Sequence, residues 1–479
     1  MRRLADTIMG AFASLLVRVF FRRIEVEGSD NIVAPTPTVL VANHQNGLVD
    51  GLLLMATLRR YPRFLGKSTL FKILPLWPFL KLAGVVPVYR AKDGAATSRN
   101  TATFRTCQQM LAGGGLVALF PEGISHDEPE LQPLKTGAAR IALGACVEDG
   151  VDGVVFLPVG LAYDAKARFR SRALVRLGTP TPVARWAEAY RTDNHRAVQD
   201  LTAAMAEAIS VLSPVYASWV EAGTLGEIAE VIARPVGSAS PNEVTLAERE
   251  QLARELAAAE AAGDPDAAIA LRGAFARYSH DLGVVGLTDA QLAANYRGGR
   301  LRLLLLWSIA KVIAGAPFAL VGAVVHAIPY QIIKRVAKTP SNEGMKATVK
   351  LLGCFAAFSL LYAGLGVAAA ELFGAVAGLA VGLGSPLCGY ITVRFSERVK
   401  RLGGAVAGYR TARQASLSTV RQHRLDLMAS YSALGLVPRP AASPSFDYPE
   451  AALGRVRVPT GAPEPGEVRA TPPRPPPFP

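Results

Sequence analysis

Three long apolar runs near the C-terminal end of the chain constrain its fold most strongly. They cover residues 303–333, 349–370 and 372–393 of a 479-residue chain. A helix needs roughly 20 apolar residues to cross the hydrocarbon core of a bilayer, and its backbone groups are satisfied internally there. Half of all residues are hydrophobic and 19% are charged, which is too apolar for an ordinary soluble protein. The sequence therefore predicts membrane helices in the C-terminal part.

Basic residues flank these runs everywhere except between the second and the third, which meet at Glu371. Because Lys and Arg accumulate on the cytoplasmic side of a membrane, the two runs are predicted to form a transmembrane hairpin that turns at Glu371. The first run has basic residues at both ends and contains Lys311 and Pro317. A charge is costly at the bilayer centre, so this run is predicted to re-enter or lie shallow, kinked at Pro317. Three full spans are the alternative.

Short apolar runs alternate with helical patterns between residues 36 and 185. The predicted buried strands are Thr38–Ala42, Val85–Tyr89, Leu116–Phe120, Val154–Val159 and Leu174–Leu177. The predicted helices between them are 47–59, 69–82, 98–112 and 135–148. This alternation indicates an α/β fold with a central, mostly parallel sheet flanked by helices, followed by helical segments and the C-terminal membrane helices. Ligands in such folds bind where loops leave the ends of the strands.

The composition along the chain predicts six regions. They are an amphipathic, membrane-associated N-terminal helix (1–35), the α/β domain (36–235), a helical insert (236–300), the membrane segments (301–394), a basic cytoplasmic helix (395–435) and a disordered Pro-rich tail (436–479). The first helix is too short to span a bilayer, and packing on the domain explains it equally well. The stretch 69–82 fits a core helix or, slightly better, a segment that contacts the bilayer.

The charge balance and the cysteines narrow the classes of protein. The formal net charge of +14 fits nucleic acid or an anionic membrane surface. No nucleic-acid-binding motif accompanies it, so anionic lipids are the expected partner and nucleic acid is not. The four cysteines form no C-x-x-C pair and have no histidine at metal-binding spacing, so neither a metal site nor a disulfide framework is expected.

A histidine and an aspartate follow the first predicted strand of the α/β domain. His44 lies just after the strand, and Asp50 lies in the first turn of the next helix. A neutral imidazole can take a proton from an alcohol near neutral pH, and a carboxylate on its other nitrogen fixes the tautomer. An isolated pair of this kind is more often a loop histidine beside a helix N-terminus.

Three further motifs change that interpretation. The chain contains Gly84-Val85-Val86-Pro87-Val88-Tyr89-Arg90, then Phe120-Pro121-Glu122-Gly123, then Leu157-Pro158-Val159-Gly160. In this order after the His44 loop, the four motifs resemble the glycerolipid acyltransferase family, which includes glycerol-3-phosphate and lysophosphatidate acyltransferases. The resemblance covers about 36–185 and implies the fold of that family, with 36–235 as the catalytic domain.

The resemblance also implies roles for individual residues. His44 is expected to be the general base and Asp50 to orient it. Substrate binding is expected from Arg90, which matches a phosphate-contacting position, and from Glu122 and Gly123, which shape the acceptor site. Lys67, near the second motif, and Lys135, on the segment after the third, are added as candidate acceptor contacts because they are basic. A structural or acyl-donor role is expected for Pro121 and Pro158.

The spacing between the catalytic residues departs from most of the family. Five residues separate His44 from Asp50, where four are usual, and Gly47 can absorb the extra residue because glycine tolerates unusual backbone angles. This spacing is similar to the fungal-type glycerol-3-phosphate acyltransferase branch. The resemblance thus implies transfer of a fatty acyl group from acyl-CoA or acyl-carrier protein to glycerol 3-phosphate, without a cofactor. The distribution of basic residues predicts that this reaction takes place on the cytoplasmic membrane face. Lysophosphatidate is the second candidate acceptor, and a non-catalytic membrane scaffold is the remaining alternative.

Overall fold

The computed structural model of the chain describes ten segments. They are residues 2–32, 35–73, 76–90, 98, 100–213, 216–234, 244–293, 299–340, 342–411 and 417–437. The predicted Pro-rich tail lies outside the described residues from position 438 onward. Parts of the predicted helical insert, 236–243 and 294–298, also lie outside them.

An eight-stranded sheet forms the centre of the α/β domain. The strands are β1 Arg23–Glu27, β2 Thr38–Ala42, β3 Arg63–Lys67, β4 Val86–Val88, β5 Leu116–Leu119, β6 Val155–Tyr163, β7 Arg172–Leu177 and β8 Thr181–Pro182. Their order is β1-β7-β6-β2-β5-β3-β4, and β8 pairs with β6. Strand β6 pairs antiparallel with β7 and β8, and the other pairs are parallel. The predicted α/β class with a mostly parallel sheet is confirmed.

Three of these strands, β1, β3 and β8, do not follow from the apolar pattern. β1 reads Arg-Ile-Glu-Val-Glu, so charged residues alternate with apolar ones at an edge of the sheet. The carboxylate of Glu25 accepts hydrogen bonds from the backbone N–H groups of Leu246 and Ala247, both at 3.0 Å. Glu25 is accommodated in this strand because its carboxylate pairs with backbone N–H groups that the start of a distant helix leaves without internal partners. The sheet therefore begins at Arg23, before the predicted domain boundary at residue 36.

Helices cover both faces of the sheet. They are α1 Arg2–Phe20, α2 Leu48–Thr57, α3 Trp77–Ala83, α4 Asn100–Ala112, α5 Gly137–Leu143, α6 Ala187–Thr192 and α7 Asn194–Leu212. Helices α1 and α2 supply core residues on one face, and α4, α5 and α7 supply them on the other. The stretch predicted as one helix over 69–82 is a short 3-10 turn, Ser68–Lys72, followed by α3. Pro78 stands in the first turn of α3, the position where proline is tolerated.

A separate helical unit follows the α/β domain. It consists of α8 Trp219–Ala233, α9 Leu246–Ala262, α10 Pro265–Val285 and α11 Asp289–Ala293, together with α15 Leu417–Ala433 from the C-terminal part. The buried carboxylate of Asp289 accepts hydrogen bonds from Arg234 at 2.7 Å and from Arg424 at 2.9 Å. This buried network attaches α15 to helices far earlier in the sequence.

Among the described residues, three helices are long and apolar enough to cross a membrane, by length and composition alone. They are α12 Gly299–Val336, α13 Glu343–Phe373 and α14 Ala375–Thr411. Helices α13 and α14 pack against each other along their length and are joined at Gly374, whose φ is +89°. The hairpin predicted for the second and third apolar runs is thus present, and its turn lies three residues after Glu371.

Contacts with the α/β domain mark where this hairpin leaves it. The Lys350 ammonium donates a hydrogen bond to the carbonyl of Ala167 at 2.6 Å. On the other arm, Glu397 pairs with Arg170 at 2.6 Å. Each arm has about 23 residues between this level and Gly374, which corresponds to roughly 35 Å of helix. That length is enough to cross a hydrocarbon core of about 30 Å.

Helix α12 does not follow the hairpin to its tip. His326 bonds to the Tyr362 hydroxyl at 2.7 Å, about halfway along α13. Ile333, two turns further along α12, lies against Gly353, which is closer to the α/β domain than Tyr362 is. The last turns of α12 therefore come back toward the α/β domain. Pro329 lies between these two contacts, and both it and Pro317 are inside the helix; the kink at Pro317 stays a prediction.

Candidate active site

The carboxyl ends of four neighbouring strands bring most of the predicted site residues to one edge of the sheet. His44 follows β2 and Glu122 follows β5. Lys67 is the last residue of β3, and Arg90 follows β4. Strands β2, β5, β3 and β4 are parallel neighbours, so their carboxyl ends meet at the same edge. This edge is where ligands bind in parallel α/β sheets.

The centre of the site is the contact between His44 and Asp50. Nδ1 of His44 lies 2.9 Å from Oδ2 of Asp50, and Asp50 is fully buried. The same Oδ2 accepts a hydrogen bond from the backbone N–H of Asn46 at 2.8 Å. Since an ionised carboxylate only accepts hydrogen bonds, the proton in the contact lies on Nδ1. In a neutral imidazole Nε2 is then the acceptor, and this is the form that a general base needs.

The loop between the two residues needs a glycine at one position. Gly47 has φ +54° and ψ −130°, a conformation that side chains with a Cβ rarely adopt. Directly after it α2 begins, so Asp50 falls in the first turn of that helix. Asn43 fixes the start of the loop because its side-chain amide accepts from Leu161 N–H at 2.7 Å and donates to Leu161 C=O at 3.0 Å.

Tyr163 completes the environment of the aspartate. Its hydroxyl donates a short hydrogen bond to Oδ1 of Asp50. Burial, and next the negative charge of Asp50, raises the pKa of Tyr163 well above its ordinary value, so the phenol stays a donor. Sequence reasoning missed this residue because the predicted strand stopped at Val159, whereas β6 continues to Tyr163. An aromatic residue with a polar tip at the end of a buried strand was the available signal.

Phe120 restrains the imidazole ring from the opposite direction. The two rings are stacked with their centroids 4.1 Å apart and an angle of 13° between their planes. Phe64 stacks in turn on Phe120 at 5.9 Å. The ring of His44 is therefore held by a carboxylate at one nitrogen and by an aromatic face.

Glu122 organises the loop backbone. Its side chain is 2% exposed, and Oε1 accepts the backbone N–H of His44 at 2.6 Å. Oε2 accepts the N–H of Gln132 at 2.9 Å and a short hydrogen bond from His126. Nδ1 of His126 accepts the N–H of Glu128 at 3.2 Å, so Nε2 of His126 carries the proton toward Glu122. The carboxylate of Glu122 thus bonds to protein donors, and its role in shaping the acceptor site stays a prediction.

Two basic residues lie beside Gly123. Arg90 donates from Nη1 to the Gly123 carbonyl at 2.5 Å. Cγ of the exposed Lys135 lies 3.5 Å from the position that a Cβ on Gly123 would occupy, and the φ of Gly123 is +70°. Arg90, Gly123 and Lys135 therefore form one basic corner of the site, suited to an anionic group.

The two predicted prolines have structural positions. The carbonyl of Pro121 accepts the N–H of Lys135 at 2.7 Å, and that of Pro158 accepts the N–H of Gly178 at 2.9 Å. Pro158 is buried inside β6 opposite Val41, which precedes His44 by three residues. In the described part of the chain, no three His, Cys, Asp or Glu side chains are grouped so that they could hold a metal ion.

Comparisons with known proteins agree with the resemblance that the motifs carry. Residues 23–162 match the model of the Acyltransferase family. The chain is 41% identical to the glycerol-3-phosphate O-acyltransferase 2 of Saccharomyces cerevisiae over 103 residues, which are 21% of this chain and 14% of the yeast protein. It is 27% identical to the chloroplastic 1-acyl-sn-glycerol-3-phosphate acyltransferase LPAT1 of Arabidopsis thaliana over 34% of this chain and 43% of that protein.

A solved structure also matches the chain. It is the 1-acyl-sn-glycerophosphate acyltransferase PlsC from Thermotoga maritima, at 19% identity and a TM-score of 0.32, covering 43% of this chain and 80% of that one. The chain spans less than half the length of each of the two sequence relatives described above. The residues that the family model covers lie within the α/β domain, and the helices from α12 onward lie beyond them.

Proposed function

Since residues 23–162 carry an acyltransferase domain, we propose that this protein is a membrane-bound O-acyltransferase that acylates glycerol 3-phosphate. The observation that carries the proposal is the His44–Asp50 contact, 2.9 Å long, with Asp50 buried. In the neutral imidazole this contact leaves Nε2 as the acceptor. The proposed donor is a fatty acyl thioester, acyl-CoA or acyl-carrier protein. Lysophosphatidate is the second acceptor, because the plant relative is named for that substrate.

The proposed reaction needs one base and one thioester. Nε2 of His44 takes the proton of the acceptor hydroxyl as its oxygen attacks the thioester carbonyl. The carbonyl oxygen becomes an oxyanion while Asp50 stabilises the imidazolium through Nδ1. When the C–S bond breaks, His44 returns the proton to the leaving thiolate. The products are an ester and a free thiol, and the base is regenerated.

The basic corner supports a phosphate-bearing acceptor. A guanidinium such as that of Arg90 binds phosphate oxygens through two parallel hydrogen bonds. Arg90 contacts Gly123 at 2.5 Å, and Gly123 directly follows Glu122, which holds the backbone of His44. A phosphate at Arg90 and Lys135 would thus be bound by the same segment that positions the base. Lys67, at the same sheet edge, is a further proposed contact.

Exposed apolar side chains support attachment to a membrane beyond the hairpin itself. One side of α1 is buried in the core, while Leu4, Ile8 and Leu15 on its other side are 50–65% exposed. Phe12 of α1 stacks on Phe79 of α3 at 5.8 Å and meets Phe355 of α13 edge-on at 5.1 Å. The apolar surface of α1 and α3 thereby continues into the hairpin. An interfacial helix uses such a face to enter the boundary of the bilayer.

The charge map supports the orientation of this arrangement. Glu371 is at the far end of the hairpin, and the basic flanks at Lys350 and Arg394 lie near the α/β domain. By the positive-inside rule, the α/β domain would face the cytoplasm. Helix α12, whose last turns come back toward that domain, would have both of its basic ends on that same side. The site would then act at the cytoplasmic membrane surface.

A transfer assay with three acceptors tests the proposal. Purified protein in lipid nanodiscs is supplied with labelled acyl-CoA and with glycerol 3-phosphate, dihydroxyacetone phosphate or lysophosphatidate in turn. We expect glycerol 3-phosphate to give the highest kcat/KM. Preference for lysophosphatidate would replace the acceptor and keep the enzyme class. Absence of transfer to all three, with acyl-carrier protein also tested as donor, would favour the non-catalytic scaffold.

A further inference from the structure

The first turns of α13 belong to the core of the α/β domain, although the rest of that helix is apolar and exposed. Ala347 is fully buried and Leu351 is 5% exposed. Both lie in the same core cluster as Val49 and Leu53 of α2, the helix that carries Asp50. The sheet face that supports the site is thus completed by a helix that starts 300 residues later in the sequence.

Two glycines allow α13 to touch the catalytic loop directly. A Cβ on Gly344 would lie 3.0 Å from the carbonyl oxygen of Gln45 and 3.1 Å from Cα of Asn46. A Cβ on Gly47 would lie 3.1 Å from Oγ1 of Thr348. These distances are shorter than most Cβ contacts in proteins, so a side chain at either glycine would require its neighbour to move by a few tenths of an ångström. Gly47 belongs to the five residues that separate His44 from Asp50, one more than the family's usual spacing.

A short segment after Glu122 joins the same two elements by hydrogen bonds. The hydroxyl of Ser125 accepts the N–H of Gly47 at 3.1 Å. Two residues on, Oδ2 of Asp127 accepts the N–H of Glu343 at 2.9 Å, one of the N–H groups that a helix start leaves without an internal partner. Lys166 pairs with the same Asp127 at 2.7 Å. Loop, segment and helix therefore form one connected unit around His44.

We propose that the first turn of α13 positions the catalytic loop, and that Gly344 is the positioning residue through which it acts. The backbone of Asn46 lies directly against Gly344. The N–H of Asn46 donates a hydrogen bond to the carboxylate of Asp50 at 2.8 Å. A displacement of Asn46 would therefore move Asp50 relative to His44. The membrane hairpin and the catalytic pair then behave as one mechanical unit. This inference rests on the proposed function only for its kinetic readout.

The test replaces Gly344 with alanine in the full-length protein. Gly344→Ala places a methyl group against Gln45 and Asn46, whereas Gly364→Ala, in the same helix, meets nothing within 4 Å and is the matched control. Alanine is the better helix former at both positions, but its Cβ at 344 would also lie 3.1 Å from Oδ1 of Asn342, which caps the start of α13. The melting curves of both variants are therefore compared with that of the wild type. We expect Gly344→Ala to lower kcat roughly tenfold, since small misplacements of catalytic groups have large effects, and to leave the KM for both substrates unchanged. The control should keep wild-type kcat.

A double-mutant cycle separates positioning from general destabilisation. If Gly344 acts through Asp50, then Gly344→Ala should cause no further loss in the Asp50→Asn background. Equal losses in both backgrounds, or wild-type kcat of folded Gly344→Ala, would overturn the inference.

Hydrogen exchange of loop 43–50 provides a readout that does not depend on turnover. Faster exchange of this loop in Gly344→Ala than in Gly364→Ala is expected, and equal exchange would also overturn the inference. If the wild-type protein transfers no acyl group at all, the proposed function fails, and the exchange comparison still decides the inference.

Discussion

Replacing Tyr163 with phenylalanine isolates one hydrogen bond in the site. The substitution keeps the ring in β6 and removes the hydroxyl that donates to Oδ1 of Asp50. Asp50 is fully buried, and it also accepts from Asn46 at 2.8 Å and from His44 at 2.9 Å. A hydrogen bond to a charged group contributes about 1.5–3 kcal/mol. If most of that holds the carboxylate against the imidazolium, kcat should fall roughly 10- to 100-fold.

The assay compares Tyr163→Phe with a matched tyrosine elsewhere. Tyr190 lies on α6, and its hydroxyl donates to Glu148 at 2.6 Å in an exposed pair. Tyr190→Phe removes the same atom far from His44 and should leave kcat unchanged. Initial rates at saturating donor and acceptor, normalised to folded protein, give the comparison. Equal turnover of the two variants would refute the role of Tyr163 in holding Asp50.

Three further predictions concern neighbouring side chains. Arg90→Ala should raise the KM for glycerol 3-phosphate roughly tenfold. Arg90→Lys should not restore the wild-type KM, because an ammonium group cannot form two parallel hydrogen bonds to a phosphate. An unchanged acceptor KM would remove Arg90 from the site. Glu122→Gln should lower the thermal midpoint, with a loss of about 2 kcal/mol, because the new amide cannot accept from three protein donors; an unshifted melting curve would contradict that. Burial raises the pKa of Asp127, but Lys166 and the Glu343 N–H outweigh it and hold that pKa below its ordinary value of 3.8. The ionised Asp127 therefore stabilises the folded state above pH 3.8, and this stabilisation is lost as the pH falls through the lowered pKa. Asp127→Asn should lower the thermal midpoint at neutral pH and leave it unchanged in strong acid.

The sequence predicts those parts of the fold whose pattern is local. Strands such as β2 and β5 are uninterrupted apolar runs, so their burial on both faces is visible in their composition. The His44 loop and the segment from Phe120 to Gly123 follow these strands directly, and parallel pairing then brings them together. Strand β1 cannot be predicted in this way. Its Glu25 accepts a hydrogen bond from the start of α9, more than 200 residues later in the sequence.

The environment of the catalytic pair could not be predicted for the same reason. Tyr163 and Gly344 act on the His44 loop from elements 113 and about 300 residues away. Neither belongs to a motif, and an apolar helix such as α13 gives no sign that its first turns are core residues. In the sequence, Gly344 cannot be distinguished from any other glycine of this helix. Its role follows only from the backbone of Asn46 that lies against it.

Apolar content and charge placement predict different paths for α12. Length and hydropathy make α12 equivalent to α13 and α14. The basic residues at both of its ends predict instead a run that does not cross. The contacts of His326 with Tyr362 and of Ile333 with Gly353 describe a helix that turns back. Whether α12 crosses the membrane or re-enters it stays a prediction.

The most direct test of the central claim is acyl transfer by a protein that lacks the imidazole of His44. Purified wild-type protein and His44→Ala, in the same nanodiscs and with matched melting curves, are compared with labelled acyl-CoA and glycerol 3-phosphate. The wild type should form labelled acylglycerol phosphate, and His44→Ala should form none above background while it remains membrane-bound. Wild-type turnover by His44→Ala would contradict the assignment of His44 as the base.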